Sequence, residues 1–296
     1  MKSYLQEFYT GLDFPAEATA SLLTAYGKLR ASREANRIFV RYLLLYSTHD
    51  LFDVWDQIPA ELAEAAKYAE CNPRELELLF VSLLTPELRR RYRKAGYSEE
   101  MFGNAMLDLR CKAIECHDLY GVWGIFTFMW MRYWFHLRRF AFGRLQFELM
   151  PLSRVISAGQ LTLERGDTVI NVHIPSLGPL HPDEVLASYR EAQAFFAPQL
   201  AGKPVVFHCS SWLLFPKHRE ILPAHSNILR FASDYALYDW ATDPTKHDLW
   251  RIFYKNAEKP PHELPRSTSL ERAYAELLEK GELPGWGAGV FTLPNS

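Results

Sequence analysis

The hydrophobic periodicity of the sequence changes near residue 140, and this change constrains the fold more than any other feature. Before that point apolar residues recur at helical spacing, as at Ile38 and Tyr42. After it, residues 144–149 (RLQFEL) alternate with the period of two that a strand requires. A chain of 296 residues is long enough for two domains. We therefore predict an α+β protein, with an all-α N-terminal domain over residues 1–140 and a mixed α/β domain over residues 141–296.

Seven helices are predicted in the N-terminal domain. Asn72 and Pro73 supply a cap and a first-turn proline for one helix, and Thr85-Pro86 repeat this device for the next. The last helix, residues 122–135 (VWGIFTFMWMRYWF), is too short to span a bilayer, which needs about 20 apolar residues. We predict that it is buried within the protein. The predicted helices begin near Pro15, Arg33, Pro59, Pro73, Pro86, Ser98 and Val122.

The C-terminal domain is predicted to mix strands with helices. The predicted strands are 144–149, 160–164, 168–174, 205–209, 250–254 and 289–293, and the predicted helices are 182–196, 221–235 and 269–280. A hairpin followed by a strand-helix-strand unit indicates a mixed sheet with helices on its faces.

Composition excludes several classes of function. The formal net charge of −2 gives no electrostatic reason to expect nucleic acid or an anionic membrane as a partner. The first residues, MKSYLQEFYTGLDFP, lack the apolar run of a signal peptide, and the four cysteines are scattered. We therefore expect reduced thiols and a cytoplasmic location. Cys111, Cys116 and His117 do not share one helix face, so we predict no metal site.

The segment HCSSWLLFP, residues 208–216, carries the densest group of reactive side chains. Because neighbouring strand residues point to opposite faces, His208 and Cys209 cannot easily share a proton. We expect Cys209 to be a small core residue and Ser210 and Ser211 to bond the backbone where the strand ends. One hypothesis for the function is a hydrolase or a thiol-dependent enzyme built on Cys209 or Ser211.

Four segments carry a resemblance to a known family: GRLQFEL, INVHIP, HCSSWLLFP and LPAHSNILRFA. They resemble bacterial acyltransferase-like proteins, which join a helical N-terminal domain to a C-terminal domain with a GNAT-like fold. The resemblance implies an N-acyltransferase that moves an acyl group from an acyl-thioester, either acyl-CoA or acetyl-CoA, to a small-molecule amine acceptor. The alternative is a GNAT-like module that binds a small ligand or a protein without chemistry. Fold alone does not decide between them.

The resemblance also implies where a site would lie. In a GNAT-like fold it forms where the strands 168–174 and 205–209 splay apart. His173 and His208, near the ends of these strands, are the candidate bases, and structural hydrogen bonding is the alternative for each.

Four further residues complete the predicted site. Ser211 is a candidate donor to the thioester oxygen, and Tyr235 a candidate general acid, with Tyr238 as its positional alternative. Trp212 and Asn227 are candidate substrate contacts, although Trp212 suits packing and Asn227 suits a helix cap equally well.

Ile174, Ser176, Gly178 and Leu180 are the predicted cofactor-binding residues, in the loop between strand 168–174 and helix 182–196. This loop departs from the family pattern, because residues 176–184 (SLGPLHPDE) hold one glycine and two prolines. Prolines lack N–H donors, and acidic residues in a first helical turn repel phosphate. The sequence thus predicts good helix capping and a poor cradle for an anion.

Overall fold

The computed structural model describes residues 1–293 and separates into two compact units. The first unit ends at Phe140 and the second begins at Ala141. The first unit is helical and the second is built on a mixed sheet, which confirms the predicted α+β class.

Seven α-helices form the first unit, but they are not the seven that the sequence predicted. They are α1 (Lys2–Gly11), α2 (Ala16–Ala31), α3 (Arg33–Thr48), α4 (Ile58–Ala69), α5 (Pro73–Lys94), α6 (Glu99–Tyr120) and α7 (Phe128–Phe135). Helix α1 was not predicted. The predicted break at Thr85-Pro86 is wrong, since α5 continues through Pro86.

The unbroken course of α5 has a local explanation. A proline inside a helix leaves the carbonyl four residues earlier without its N–H donor, here the carbonyl of Ser82. The Thr85 hydroxyl donates to that oxygen over 2.6 Å, so the buried carbonyl keeps a partner. The surrounding turns are buried on all sides, as at Leu83 and Leu84, and this packing stabilises the helix across the proline.

The aromatic segment near residue 130 forms the buried helix that the sequence predicted, although α7 begins at Phe128 instead of residue 122. The indole N–H groups of Trp130 and Trp134, both in α7, donate to the buried carboxylate of Asp108 over 2.9 and 3.2 Å. Gly121 ends α6 in the left-handed conformation, which a glycine adopts without strain. Among residues 1–293, none of the helices has both the length and the apolar character that crossing a bilayer requires.

A six-stranded sheet organises the second unit, in the order β1-β2-β5-β6-β8-β7. Its strands are β1 (Arg139–Phe142), β2 (Leu145–Pro151), β5 (Thr168–His173), β6 (Phe207–Ser211), β7 (Ala236–Thr242) and β8 (Gly285–Phe291). A separate hairpin pairs β3 (Ile156–Ala158) with β4 (Leu161–Leu163). The helices are α8 (Pro182–Phe196), α9 (His218–Ile221), α10 (Asn227–Ser233), α11 (Trp250–Phe253) and α12 (Ser269–Glu279).

The predicted strand at 250–254 is wrong, because this segment forms α11. Leu249, Ile252 and Phe253 are buried, and their spacing of three and four residues is helical. The Asp243 carboxylate accepts from the backbone N–H groups of Thr245 and His247 and thereby turns the chain just before the helix. The final strand runs over 285–291 instead of 289–293, and the edge strand β7 was not predicted.

Different elements cover the two faces of the sheet. Helix α8 packs on one, the helix face, and the β3–β4 hairpin packs on the other, the hairpin face. On the helix face, Tyr189 of α8 packs on Phe207 and Phe291, with ring centroids 5.1 and 4.9 Å apart. On the hairpin face, Val169, Val206 and other aliphatic side chains pack against the β3–β4 hairpin. Since side chains alternate along a strand, every residue of β5 and β6 is assigned to one of these faces.

Alternate glycines on β8 allow a turn to lie directly on the strand. A Cβ added at Gly287 would lie 2.3 Å from the carbonyl oxygen of Leu214. Leu214 ends the 3₁₀ turn Trp212–Leu214, which follows β6 immediately. The turn therefore rests on the backbone of β8, and no side chain fits between them.

Candidate active site

The parallel strands β5 and β6 pair at only two positions. Ile170 lies opposite Phe207, and Asn171 lies opposite His208. Beyond Asn171, β6 continues to pair with β8 as far as Ser211, which lies opposite Gly287. A gap therefore opens between the carboxyl ends of β5 and β6, as the resemblance implied for this sheet.

A chain of hydrogen bonds crosses the hairpin face at the closed end of this gap. The Glu148 Oε1 atom lies 2.8 Å from His173 Nε2 and 3.4 Å from Asn171 Nδ2. The Oδ1 atom of Asn171 lies 2.9 Å from His208 Nδ1, and the Nε2 atom of His208 lies 2.7 Å from the Tyr238 hydroxyl. The two histidines that the sequence selected are thus joined through Glu148 and Asn171, two residues that it did not select.

His208 is the more buried of the two histidines, with 6% of its surface exposed. Burial, and to a smaller extent the neighbouring His173, lowers the pKa of His208 to about 4. Both of its ring nitrogens already have hydrogen-bond partners. His208 is therefore neutral near pH 7.

Tyr238 lies between the neutral His208 and the Arg154 guanidinium. The Arg154 guanidinium lies 5.4 Å from the centroid of the Tyr238 ring and forms an ion pair with Asp239 over 2.5 Å. Burial raises the pKa of the Tyr238 hydroxyl, and Arg154 opposes that rise. Tyr238 is accordingly a neutral phenol at physiological pH.

Tyr235, the predicted general acid, lies on the helix face. Its hydroxyl is 2.9 Å from that of Tyr189, and its ring packs edge-on against Phe291. Burial raises its pKa well above the usual value. The structure does not bring Tyr235 to the two histidines, and Tyr238 is the tyrosine that contacts His208.

The loop between β5 and α8 is organised by one buried arginine. The Arg144 guanidinium donates to the carbonyl oxygens of Pro175, Gly178 and Pro179, over 2.8, 2.5 and 3.0 Å. The backbone N–H of Arg144 also donates to Ser188 of α8, over 2.8 Å. The carbonyl groups of the loop consequently point toward Arg144.

The N-terminus of α8 has no side-chain cap. His181 occupies the N-cap position without a capping hydrogen bond from its side chain, and Pro182 follows it. Pro182 and the exposed Asp183 and Glu184 lie in the first turn, as the sequence predicted, but the predicted good capping is wrong because the His181 side chain makes no capping hydrogen bond. Backbone donors of this turn remain available to an anion.

A cavity of about 340 Å³ lies next to this helix end. Leu180, Val185 and Tyr189 line it from the α8 side, and Arg230 and Phe231 line it from α10. Of the predicted cofactor-binding residues, Leu180 faces this cavity, while Ile174, Ser176 and Gly178 lie in the loop that Arg144 organises.

The remaining predicted residues have structural contacts. Ser211 accepts from the N–H of Leu213 over 3.2 Å, which confirms the expected strand-end bond. Trp212 packs edge-on against His218 and Tyr274. Ser226, not Asn227, caps α10.

Cys209 is fully buried on the helix face, away from His208, as strand alternation predicted. Burial raises the pKa of its thiol. In the described part of the chain, the histidine, cysteine and carboxylate side chains form no group that could hold a metal ion.

Sequence reasoning missed Glu148, Asn171 and Arg144, and it offered Tyr238 only as an alternative to Tyr235. The first two had a usable signal, because Glu148 and Asn171 are polar residues within otherwise apolar strands. Their partnership depends on the β2–β5 register, in which Glu148 lies directly opposite Asn171. The role of Arg144 depends on a loop more than 30 residues away and had no local signal.

The fold and the open strand pair define a GNAT-like protein with a helical N-terminal domain. The chain belongs to the family defined by the GNAT-like C-terminal domain, which matches residues 139–291, and residues 3–137 match the N-acyltransferase N-terminal domain. No match is found among curated proteins.

Solved acyltransferase structures share this architecture. One, in complex with decanoyl-CoA and teicoplanin, is 23% identical over 98% of this chain and 87% of its own, with a TM-score of 0.73. Another, in complex with decanoyl-CoA, is 20% identical over 98% of this chain and 99% of its own, with a TM-score of 0.64. At these identities the likeness establishes the fold.

Proposed function

We propose that this protein transfers an acyl group from acyl-CoA to the amine of a small-molecule acceptor. The observation that carries the proposal is the gap between β5 and β6, which opens beside two hydrogen-bonded histidines. The match of residues 3–137 to the N-acyltransferase N-terminal domain supports the same reaction.

The residues around α8 fit coenzyme A. An uncapped helix N-terminus offers backbone N–H donors and a favourable dipole to a pyrophosphate. Arg144 holds three loop carbonyls away from that position, which removes the repulsion that carbonyl oxygens would exert. Gly178 and Leu180 would lie nearest the phosphates, and the adjacent apolar cavity, with Arg230 on its wall, would receive another part of the cofactor. When bound, acyl-CoA supplies the activated thioester carbonyl.

The acidic residues of the first α8 turn weaken this site without abolishing it. Asp183 and Glu184 are exposed, so water and salt screen their repulsion of a phosphate. We therefore expect an affinity for acyl-CoA that decreases when the salt concentration is lowered and this repulsion is less screened.

On the hairpin face, the His173 and Glu148 pair is the proposed base. Glu148 accepts from His173 Nε2, so a neutral His173 keeps its basic lone pair on Nδ1. A proton taken from the attacking amine would leave His173 positively charged, and the Glu148 carboxylate would stabilise that charge. His208, neutral and bonded at both nitrogens, would support this group without taking the proton.

The first experiment measures binding. Calorimetry with CoA, acetyl-CoA, octanoyl-CoA and decanoyl-CoA should give saturable binding of at least one acyl-CoA. The solved neighbours contain decanoyl-CoA, so medium chains are the first to try. Absence of binding by every thioester would overturn the proposal.

The second experiment measures transfer. Release of the CoA thiol in the presence of an amine library should depend on the amine, and His173→Gln should slow it at least a hundredfold. His225→Gln, at an exposed histidine, is the matched control. Binding without amine-dependent thiol release would favour the non-catalytic binding module instead.

A further inference from the structure

With the Asn171 amide as the structure orients it, one set of hydrogen-bond directions gives the bonds to Glu148 and His208 a donor and an acceptor each. A carboxylate only accepts, so the Glu148 oxygen requires donors at His173 Nε2 and Asn171 Nδ2. The Asn171 amide must then present its NH₂ group to Glu148 and its carbonyl oxygen to His208. This assignment agrees with both distances, 3.4 Å from Asn171 Nδ2 to Glu148 and 2.9 Å from Asn171 Oδ1 to His208.

The amide oxygen in turn determines the state of His208. The Oδ1 atom of Asn171 only accepts, so His208 Nδ1 must carry the hydrogen. A neutral imidazole has one N–H, and His208 Nε2 therefore holds a lone pair toward Tyr238. The Tyr238 hydroxyl, 2.7 Å away, donates its proton to that nitrogen.

We propose that Asn171 is a positioning residue that, together with Glu148, fixes the two histidines as different tautomers: Glu148 holds the proton on Nε2 of His173, and Asn171 holds the proton on Nδ1 of His208. The catalytic consequence rests on the proposed acyl transfer: His173 keeps a basic Nδ1 atom, while His208 is a fixed support for Tyr238. Tyr238 is committed as a donor to His208, so its oxygen offers lone pairs to other groups.

The location of Asn171 explains why this residue serves both histidines. It lies directly opposite Glu148 on β2 and directly opposite His208 on β6. It is also two residues from His173, on the same face of β5, with its Nδ2 atom 3.2 Å from His173 Nε2. A single short amide at this crossing therefore bonds Glu148 and His208, while its Nδ2 atom and His173 Nε2 are two donors that converge on the Glu148 oxygen.

The tautomers are measurable without any assay of activity. Long-range ¹H–¹⁵N NMR of the imidazole rings, assigned with His173→Gln and His208→Gln, should place the His208 proton on Nδ1 and the His173 proton on Nε2 at pH 7. Finding the His208 proton on Nε2, or an even mixture in the unmodified protein, would overturn the proposal.

Three variants separate the positioning role from general packing. Asn171→Asp keeps an acceptor toward His208 and should keep the Nδ1–H tautomer, whereas Asn171→Leu removes it and should shift the proton to Nε2, toward Tyr238. Tyr238→Phe should leave the His208 tautomer unchanged. Asn256→Leu, outside the network, is the control. An unchanged His208 tautomer in a folded Asn171→Leu protein would contradict the proposal.

Kinetics test the consequence separately. Asn171→Leu should lower kcat by about a hundredfold and alter the pH profile of kcat, while KM for acyl-CoA stays within about threefold. A normal kcat and pH profile in a variant with shifted tautomers would reject the catalytic consequence. Failure of the unmodified protein to bind any acyl-CoA would reject the proposed function and leave the tautomer result standing.

Discussion

The Nδ1 atom of His208 lies 2.9 Å from the Oδ1 atom of Asn171, at the last position where β5 and β6 pair. This bond closes one end of the gap between the two strands. It also makes the protonation of His208 costly, because a second ring proton would disturb its bonds in a buried setting. Stability and the candidate chemistry therefore depend on the same pair of side chains.

The free energy of unfolding should fall as the pH decreases from about 6.5 to about 4. The folded pKa of His208, about 4, lies below the usual value of about 6.5, so the unfolded chain binds more protons in this window. At pH 5 the loss should reach about 2 kcal/mol from this residue. Urea unfolding of the unmodified protein and of His208→Gln, at pH 7 and pH 5, measures it.

The change in the free energy of unfolding between pH 7 and pH 5 should be smaller in His208→Gln by that amount. The comparison is needed because burial also lowers the pKa of His218 to about 4, which adds a similar dependence. His225→Gln removes an exposed histidine and should leave the dependence unchanged. An identical pH dependence in His208→Gln would contradict the prediction.

Replacing Arg144 with methionine should weaken both the fold and the binding of acyl-CoA. Three loop carbonyls would lose their donor, at a cost of about 3 kcal/mol, and would be free to turn toward the phosphates. We expect the dissociation constant for acyl-CoA, measured by calorimetry, to increase at least tenfold. Arg190→Met on the exposed side of α8 is the control, and equal affinities in the two variants would argue against the loop's role.

Gly287→Ala should destabilise the protein by about 2 kcal/mol, because the new methyl group would overlap the carbonyl of Leu214. Gly27→Ala is the contrasting variant. Gly27 lies inside α2 with open space around it, so alanine there should stabilise the protein by about 0.5–1 kcal/mol. Urea midpoints of the two variants that shift in the same direction would refute this account.

The two tyrosines should respond differently to removal of their hydroxyls. Tyr235→Phe breaks a buried bond to Tyr189 and should cost about 1 kcal/mol of stability, with the transfer rate within about threefold. Tyr238→Phe should have its main effect on the transfer rate and a smaller effect on the free energy of unfolding, since the Tyr238 hydroxyl contacts His208. A large loss of rate in Tyr235→Phe alone would restore the prediction that Tyr235 is the general acid.

Cys209→Ala should retain acyl transfer, and the thiol should resist alkylation until the protein unfolds. Its side chain is fully buried on the helix face, and burial raises its pKa. Rapid alkylation of the native protein, detected by mass spectrometry with Cys209→Ala as the blank, would show that this thiol is accessible after all.

The elements that the sequence predicted well are those with a local cause. The change of period near residue 140, the cap at Asn72 and the alternation in β2 and β5 depend on nearby residues, and the structure contains each of them. Pro86 shows the limit of a local rule. Thr85 and the packing of α5 overcome the break that a proline alone would cause. For residues 250–253, tertiary burial decided between strand and helix.

The candidate site was predictable only in part for the same reason. His173 and His208 could be selected by residue type and by their places at strand ends. Glu148, Asn171 and Tyr238 acquire their roles through strand register, including the irregularity between Leu237 and Asp239 in β7. Hydrogen-bond partners that come from four strands have no short-range pattern in the sequence.

The contact between Leu214 and Gly287 has a mechanical consequence. Most connections that leave a sheet are held by side chains, which can change rotamer and let the connection shift. Here main-chain atoms rest on main-chain atoms, and the chain has no rotatable side group at this contact to absorb a displacement. The turn that follows β6 is therefore held firmly on β8, the neighbour of β6 on the side away from β5, and this contact restrains the end of β6 relative to β8.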